Sequence, residues 1–176
     1  MTTFTVPTRE QVSENNQLVF DNLQKMLGFV PNLYAFIGNS KNGLERYLAY
    51  QSAKTTLSNK EKEAVNLVVS QVNECVYCQS AHTVLGKMNG FSDEELINIR
   101  NRKATDAKLN SLVKLAAEIT EKKGKVNQET IDTFFAQGYT NENLVDLNLL
   151  ISDKVAMNFL HNLIKIPVDF PLAPAL

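Results

Sequence analysis

The chain has 176 residues, a formal net charge of −1 at pH 7 and 44% hydrophobic residues, which is typical of a globular protein with one core. Its 18 basic residues are scattered, so neither nucleic acid nor an anionic membrane surface is an expected partner. No apolar run approaches the roughly 20 residues that span a bilayer, and the segment from Met1 to Glu10 lacks a signal-peptide pattern. We expect a cytoplasmic protein with a single domain over residues 1–176, where paired cysteines are more often catalytic or metal-binding than structural.

Apolar residues at helical spacing, separated by glycine, proline and capping residues, predict helices along the whole chain. In chain order the predicted helices cover residues 10–27, 31–36, 43–56, 58–72, a cysteine-bearing helix that Gly90 stops, a helix capped by Ser92 and Glu95, 104–122, 128–137 and 140–165. No stretch has convincing two-residue alternation bounded by hairpin turns. The fold class that follows is an all-α helical bundle.

Residues 64–72 are the one place where a strand competes with a helix, because their valines favour extended backbone. The apolar positions nevertheless fall on one side of a helix, and Ser58 with Glu61 three residues later forms a capping-box pattern before them. We therefore predict a helix. The proline-punctuated tail, residues 166–176, cannot be helical and is expected to be extended.

The sequence Cys75-Val-Tyr-Cys78, followed by His82, carries the clearest chemical signal. These are the only two cysteines, and His82 is one of two histidines. Thiols one helical turn apart can close a disulfide with little backbone movement, and a histidine one turn further on can take a thiol proton. Both thiols also lie in a first helical turn, where the helix dipole favours a thiolate, the form that attacks peroxides and disulfides.

The helical phase places Cys75, Cys78, His82 and Gly86 within about 80° of one another, with Gly86 leaving room above the backbone. An adjoining apolar face is expected to pack into the core; it consists of Tyr77, Ala81, Val84 and Met88.

The two cysteines are also compatible with other uses. They could be small buried apolar residues, although the CxxC spacing makes this a minority interpretation. Zinc could bind Cys75, Cys78 and His82 with a carboxylate as fourth ligand, but a second Cys or His pair is lacking, with only His161 left. A c-type haem needs a histidine directly after the second cysteine, and a thioredoxin fold needs strands.

Four segments resemble the alkylhydroperoxidase D-like (AhpD-like) branch of the carboxymuconolactone decarboxylase superfamily. They are GFVPNL at 28–33, LSNKEKEA at 57–64, VSQVNECVYCQSAH at 69–82 and VDFP at 168–171, with the core motif at about 57–90. The specific element is a glutamate twelve residues before the CxxC and a histidine four after it, here Glu63 and His82. The resemblance implies an AhpD-like helical bundle that forms homo-oligomers, with a peroxidase site between helices.

The resemblance also implies the roles of the site residues. Cys78 would attack the peroxide and become a sulfenic acid, and Cys75 would then capture it as a disulfide. His82 would accept or relay the Cys78 proton, and Glu63 would orient His82 or pass the proton on. No cofactor and no metal are implied. The partners would be a small hydroperoxide and an external dithiol reductant of the thioredoxin-like or lipoyl type.

Three residues have competing interpretations. Helical periodicity assigns Glu63 to a solvated helix face that it shares with Asn66 and Ser70, and only the motif spacing favours a catalytic role for it. If this face packs against the cysteine-bearing helix, all three side chains should line one polar cleft. Tyr77 stands where some family members carry a second histidine, and its phase favours packing. His161 is expected to be a hydrogen-bonded core or interface residue.

Two functional hypotheses follow from the sequence. The first is a peroxiredoxin-type thiol peroxidase, or a broader thiol-disulfide oxidoreductase, that uses Cys75, Cys78, His82 and Glu63. The second is a non-catalytic protein that senses redox state or binds a metal through the same cluster. The missing fourth zinc ligand favours the first.

Overall fold

The computed structural model describes residues 3–176; Met1 and Thr2, which belong to the segment tested for a signal peptide, lie outside them. Within residues 3–176 there is a 3₁₀ turn, Arg9–Gln11, nine α-helices and no strand. The helices are α1 Glu14–Leu27, α2 Asn32–Ile37, α3 Gly43–Gln51, α4 Asn59–Val72, α5 Val76–Met88, α6 Asp93–Arg100, α7 Ala107–Lys122, α8 Gln128–Ala136 and α9 Asn141–Ile164. The predicted all-α fold is confirmed.

The predicted boundaries are wrong at three helices. α1 begins four residues later than expected, because the Ser13 hydroxyl accepts the Asn16 N–H and sets the helix start there. α3 ends at Gln51, about one turn before the predicted end at Thr56. α7 begins at Ala107 rather than Ala104, because the Asp106 carboxylate caps the Leu109 N–H at 2.8 Å.

The chain divides into two compact units. The first takes in the chain up to Lys54 together with Leu163–Asp169, and it contains α1, α2 and α3. In this unit the Asp169 carboxylate accepts the Asn32 N–H at 2.7 Å, so an acidic group from the far end of the sequence caps the N-terminus of α2. The extent of a single domain over residues 1–176 stays a prediction.

The second unit comprises Thr55–Asn162 and Phe170–Leu176, with α4 at its centre. α4 packs against α5, α6 and α7, and every residue from Ala64 to Ser70 is buried. The capping box is present: the Ser58 hydroxyl accepts the Glu61 N–H at 3.2 Å, and the Glu61 carboxylate accepts the Ser58 N–H at 2.8 Å. The helix predicted for the valine-rich segment is therefore confirmed.

The end of the chain runs extended along α5, as the prolines predicted. The Ala173 N–H donates to the Ser80 hydroxyl at 3.1 Å, and the Arg100 guanidinium donates to the Pro174 carbonyl. Arg100 is itself buried, and it also donates to the side-chain carbonyls of Gln71 at 2.7 Å and Gln79 at 3.3 Å. One buried guanidinium therefore ties the tail to α4 and α5.

Candidate active site

The turn between α4 and α5 brings the two thiols together. α4 ends at Val72 with Asn73 as its C-cap, Glu74 takes the left-handed conformation with φ 55°, and Cys75 is the N-cap of α5. A glutamate in this conformation costs about 1 kcal/mol or more, which a packed turn must offset. The Cys75 sulfur accepts the Cys78 N–H at 3.2 Å, so the thiols occupy one helical turn, with Cys75 taking the place of a capping serine.

Both cysteines are free thiols in the interior of the second unit, with Cys75 0% and Cys78 3% exposed. A donated hydrogen bond from Cys75 lowers the pKa of Cys78; burial opposes this, and the positive charge of Lys154 and a hydrogen bond from Asn158 add to it. The same bond, together with burial, raises the pKa of Cys75. The two thiols therefore differ in ionisation: Cys78 forms the thiolate more readily, and Cys75 keeps its proton.

The motif residues Glu63 and His82 meet between α4 and α5. His82 Nδ1 lies 2.7 Å from Glu63 Oε2, and both side chains are largely buried. Although burial opposes ionisation, contact with His82 and the charges of Lys154 and Lys62 lower the pKa of Glu63. An ionised carboxylate only accepts, so Nδ1 carries the hydrogen and Nε2 is left as the basic nitrogen.

Burial is also the main cause of a lowered pKa at His82. The Lys154 charge lowers it further, and Glu63 and the charge of Asp153 offset these effects only in part. A neutral imidazole is thus favoured, held in one tautomer by Glu63.

A polar cluster joins α9 to this region. The Asn158 side chain donates to the Ser70 hydroxyl at 3.1 Å and accepts from the Asn73 amide at 3.0 Å. The Gln79 amide reaches the Ser70 carbonyl at 3.2 Å. Ser70 therefore lies in the expected polar region. Asn66 contacts Ser70 through its backbone carbonyl, which accepts the Ser70 hydroxyl at 2.6 Å.

Two expectations for α5 are wrong. Gly86 does not leave open space, because a Cβ there would lie 2.6 Å from Leu96 Cδ2, so the missing side chain admits α6. Met88 is 77% exposed rather than packed in the core, since it is the last residue of α5 and lies next to the turn at Gly90. Tyr77 is buried as expected, and its ring packs 5.1 Å from that of His161 and 5.6 Å from that of Phe170.

Sequence reasoning missed Asp153 and Lys154, two buried residues of α9 whose charges act on Cys78 and His82. They lie more than 70 residues after the CxxC motif, so no local spacing connects them with it. The available signal was an acidic and a basic residue side by side in the most apolar predicted helix, where charges are rarely buried without a partner.

A metal site gains no geometric support. Among residues 3–176, no group of three or more histidine, cysteine, aspartate and glutamate side chains is placed to hold a metal ion. A cleft of about 680 Å³ in the second unit is lined by other residues, around Phe91, Glu95 and Lys108, and by none of the four candidate site residues.

Comparison with known proteins agrees with the fold. Residues 40–122 match the carboxymuconolactone decarboxylase family. An uncharacterized peroxidase-related protein from Ralstonia eutropha JMP134, described as an alkylhydroperoxidase AhpD core, superposes with a TM-score of 0.85 at 18% identity, over 94% of this chain and 91% of that chain. Residues 40–122 thus match the carboxymuconolactone decarboxylase family, and the chain has an AhpD-like fold.

Two further structures share this AhpD-like fold. An uncharacterized peroxidase-related protein from Silicibacter sp. TM1040 has a TM-score of 0.81 at 18% identity, covering 97% of this chain and 91% of its own. The debrominase Bmp8, in a complex with 2,3,4-tribromopyrrole, has a TM-score of 0.78 at 15% identity, covering 96% and 93%. No curated protein matches the sequence. Within residues 3–176, no helix is both long and apolar enough to cross a membrane.

Proposed function

We propose that this AhpD-like protein is a thiol-dependent peroxidase that reduces small hydroperoxides through a disulfide cycle between Cys75 and Cys78. The observation that carries the proposal is the paired geometry of the site. Two free thiols share one helical turn with a 3.2 Å contact from the Cys78 N–H to the Cys75 sulfur, and a 2.7 Å Glu63–His82 pair lies on the helices that carry them. The lowered pKa of Cys78 supports its assignment as the attacking thiol.

The first step oxidises Cys78. Its thiolate attacks the terminal oxygen of the hydroperoxide, the S–O bond forms and the O–O bond breaks. The leaving alkoxide takes one proton, relayed from solvent by His82 while Glu63 holds the ring, and departs as the alcohol. Because the Cys78 side chain is almost fully buried, small peroxides are favoured over bulky ones.

The second step closes the disulfide. The Cys75 sulfur attacks the sulfenic sulfur of Cys78, and water leaves with the Cys75 proton. Little movement is needed, because both residues lie in one turn. An external dithiol, thioredoxin-like or lipoyl-type, then supplies two electrons and two protons and returns both thiols. That requirement for reduction is the reason we infer a cytoplasmic location.

A homo-oligomer is part of the same proposal, on the strength of the family resemblance. Exposed apolar side chains on α9, among them Val145 and Phe159, are candidates for the contact between copies.

Intact-mass spectrometry tests the disulfide cycle. We expect reduced protein to lose two hydrogens within seconds to minutes of adding one equivalent of a small hydroperoxide, ethyl hydroperoxide. Cys75→Ser should instead gain one oxygen at Cys78, because the sulfenic acid is no longer captured, and Cys78→Ser should not react. An unchanged wild-type mass would reject the peroxidase proposal and leave a non-catalytic sensor or metal-binding protein as the alternative, to be followed by measurement of metal content.

A further inference from the structure

Lys154 is a buried cation in the middle of α9. Its side chain is 3% exposed, although α9 is the most apolar helix of the sequence and the neighbouring positions Ile151 and Val155 pack in the core of the second unit. Moving an ammonium group out of water costs several kcal/mol unless anionic groups surround it. A lysine buried at this depth is therefore expected to neutralise a nearby negative charge.

The geometry of α9 places Lys154 on the side that faces the thiols. Asn158 lies four residues later, on the same helical face. The Asn158 amide donates to the Ser70 hydroxyl at 3.1 Å and its side-chain carbonyl accepts from Asn73 at 3.0 Å, and the Ser70 backbone carbonyl in turn accepts the Cys75 N–H at 3.0 Å. Lys154 is thus one helical turn from a side chain that contacts the end of α4, directly before the turn that carries both thiols.

His82 is poorly suited to carry the positive charge at this site. Its Nδ1–H is committed to Glu63 at 2.7 Å, and its ring lies in the interior, where an imidazolium is disfavoured. Lys154 acts against protonation of His82 as well, because its charge reaches the imidazole. Two cations around one thiolate would repel each other, so the charge of Lys154 makes a second positive charge on His82 unfavourable.

The charges around the site come from three helices. From α4 they are Glu63 and Lys62, from α5 the titratable groups Cys75, Cys78 and His82, and from α9 Asp153, Lys154 and His161. The charge of Lys154 acts on Cys78, His82 and Glu63, in each case disfavouring the protonated form. Asp153 opposes Lys154 at Cys78 and His82, with the smaller effect at both.

We propose that the buried ammonium of Lys154, rather than an imidazolium at His82, is the counter-cation of the Cys78 thiolate. Lys154 is then a positioning residue that acts through Cys78 by charge. His82 stays neutral in the resting enzyme and can accept a proton during turnover, which an imidazolium could not do. The inference rests on the proposed role of Cys78 as the attacking thiol.

The test is the pH dependence of iodoacetamide alkylation at Cys78 in reduced protein, located by tandem mass spectrometry. Lys154→Met keeps the apolar stem and removes the charge, so we expect alkylation at pH 7 to slow by about an order of magnitude and recover at alkaline pH. Lys114→Met removes one positive charge from an exposed position of α7 and should leave the profile unchanged. Matching profiles for the two variants would overturn the proposal.

A second measurement needs no variant and is unaffected by any loss of folding. Long-range ¹H–¹⁵N NMR spectra of the wild type should show a neutral His82 imidazole at pH 7 with hydrogen on Nδ1; an imidazolium would also overturn the proposal. Alkylation and NMR do not depend on peroxide turnover. A protein that alkylates as expected but does not react with hydroperoxide would therefore contradict the peroxidase proposal alone.

Discussion

At the scale of single residues, Glu63 lies on a helix face that periodicity assigns to solvent, yet its side chain is only 14% exposed. α5 crosses over this face and brings His82 Nδ1 to 2.7 Å from the carboxylate. Hydrophobic periodicity reports only which side of a helix is apolar, so it cannot distinguish water from a polar neighbouring helix. The twelve-residue spacing between Glu63 and the CxxC motif did predict the contact with His82, because this spacing is part of the family motif in which the two helices pack against each other.

The first prediction concerns Glu63→Gln. The amide has almost the shape of the carboxylate but no charge, so His82 loses the anion that fixes its tautomer and supports its basicity. We expect peroxide-driven disulfide formation at pH 7 to slow by roughly 10- to 100-fold, measured by quenched-flow mass spectrometry. Glu129→Gln, at an exposed position of α8, is the matched control. An unchanged rate in Glu63→Gln would exclude a role for the carboxylate in turnover.

Lys154 and Asn158 illustrate what a sequence pattern does not contain. The Asn158 hydrogen bond to Ser70 and the effect of the Lys154 charge on Cys78 join positions separated by more than 70 residues, so both depend on the packing of α9 and not on any local spacing. The sequence predicts that α9 is helical and apolar, but its orientation about its own axis is decided by tertiary packing. Burial of Lys154 could therefore be identified only in the structure.

At the scale of secondary structure elements, prediction succeeded where the decisive interactions are local. The start of α4 is set by Ser58 and Glu61, three residues apart, and the capping box forms. Ser92 and Glu95 have the same spacing, but only half of the box appears. Ser92 caps the Glu95 N–H, whereas the Glu95 carboxylate accepts the N–H and hydroxyl of Thr105 at 2.8 and 2.7 Å. A competing partner from another segment is invisible to a local pattern.

The prediction at this scale concerns the packing of α6 against α5 at Gly86. A Cβ in Gly86→Ala would overlap Leu96 Cδ2 at 2.6 Å, so the buried Leu96 side chain would have to shift within the core. We expect a loss of about 1–3 kcal/mol in the free energy of unfolding, measured by urea denaturation. The double variant Gly86→Ala/Leu96→Ala should lose less than the sum of the two single variants, because the smaller side chain makes room. Additive losses would mean that the two residues do not compete for one space.

At the scale of the whole molecule, the buried titratable groups of the candidate site make the free energy of unfolding depend on pH. The pKa of His82 is lowered in the folded protein, so the unfolded chain binds more protons below about pH 6.5, the ordinary value for histidine. The pKa of Glu63 is lowered as well, which acts in the same direction at more acidic pH. Each group therefore contributes stability that is fully present above its unfolded pKa and is lost as the pH falls through the folded one.

The last prediction follows from that sign. The free energy of unfolding of the wild type should decrease as the pH is lowered from 7.5 to 4.5, and His82→Gln should make this decrease shallower, because glutamine does not bind a proton and Glu63 loses its partner. Chemical denaturation at half-unit pH intervals measures it. The quantity compared is the slope with pH, so a constant loss from altered packing, visible at pH 8, does not affect the result. Equal slopes in wild type and variant would show that His82 titrates alike in the folded and unfolded chain, and the neutral, Glu63-bound imidazole would then have to be abandoned.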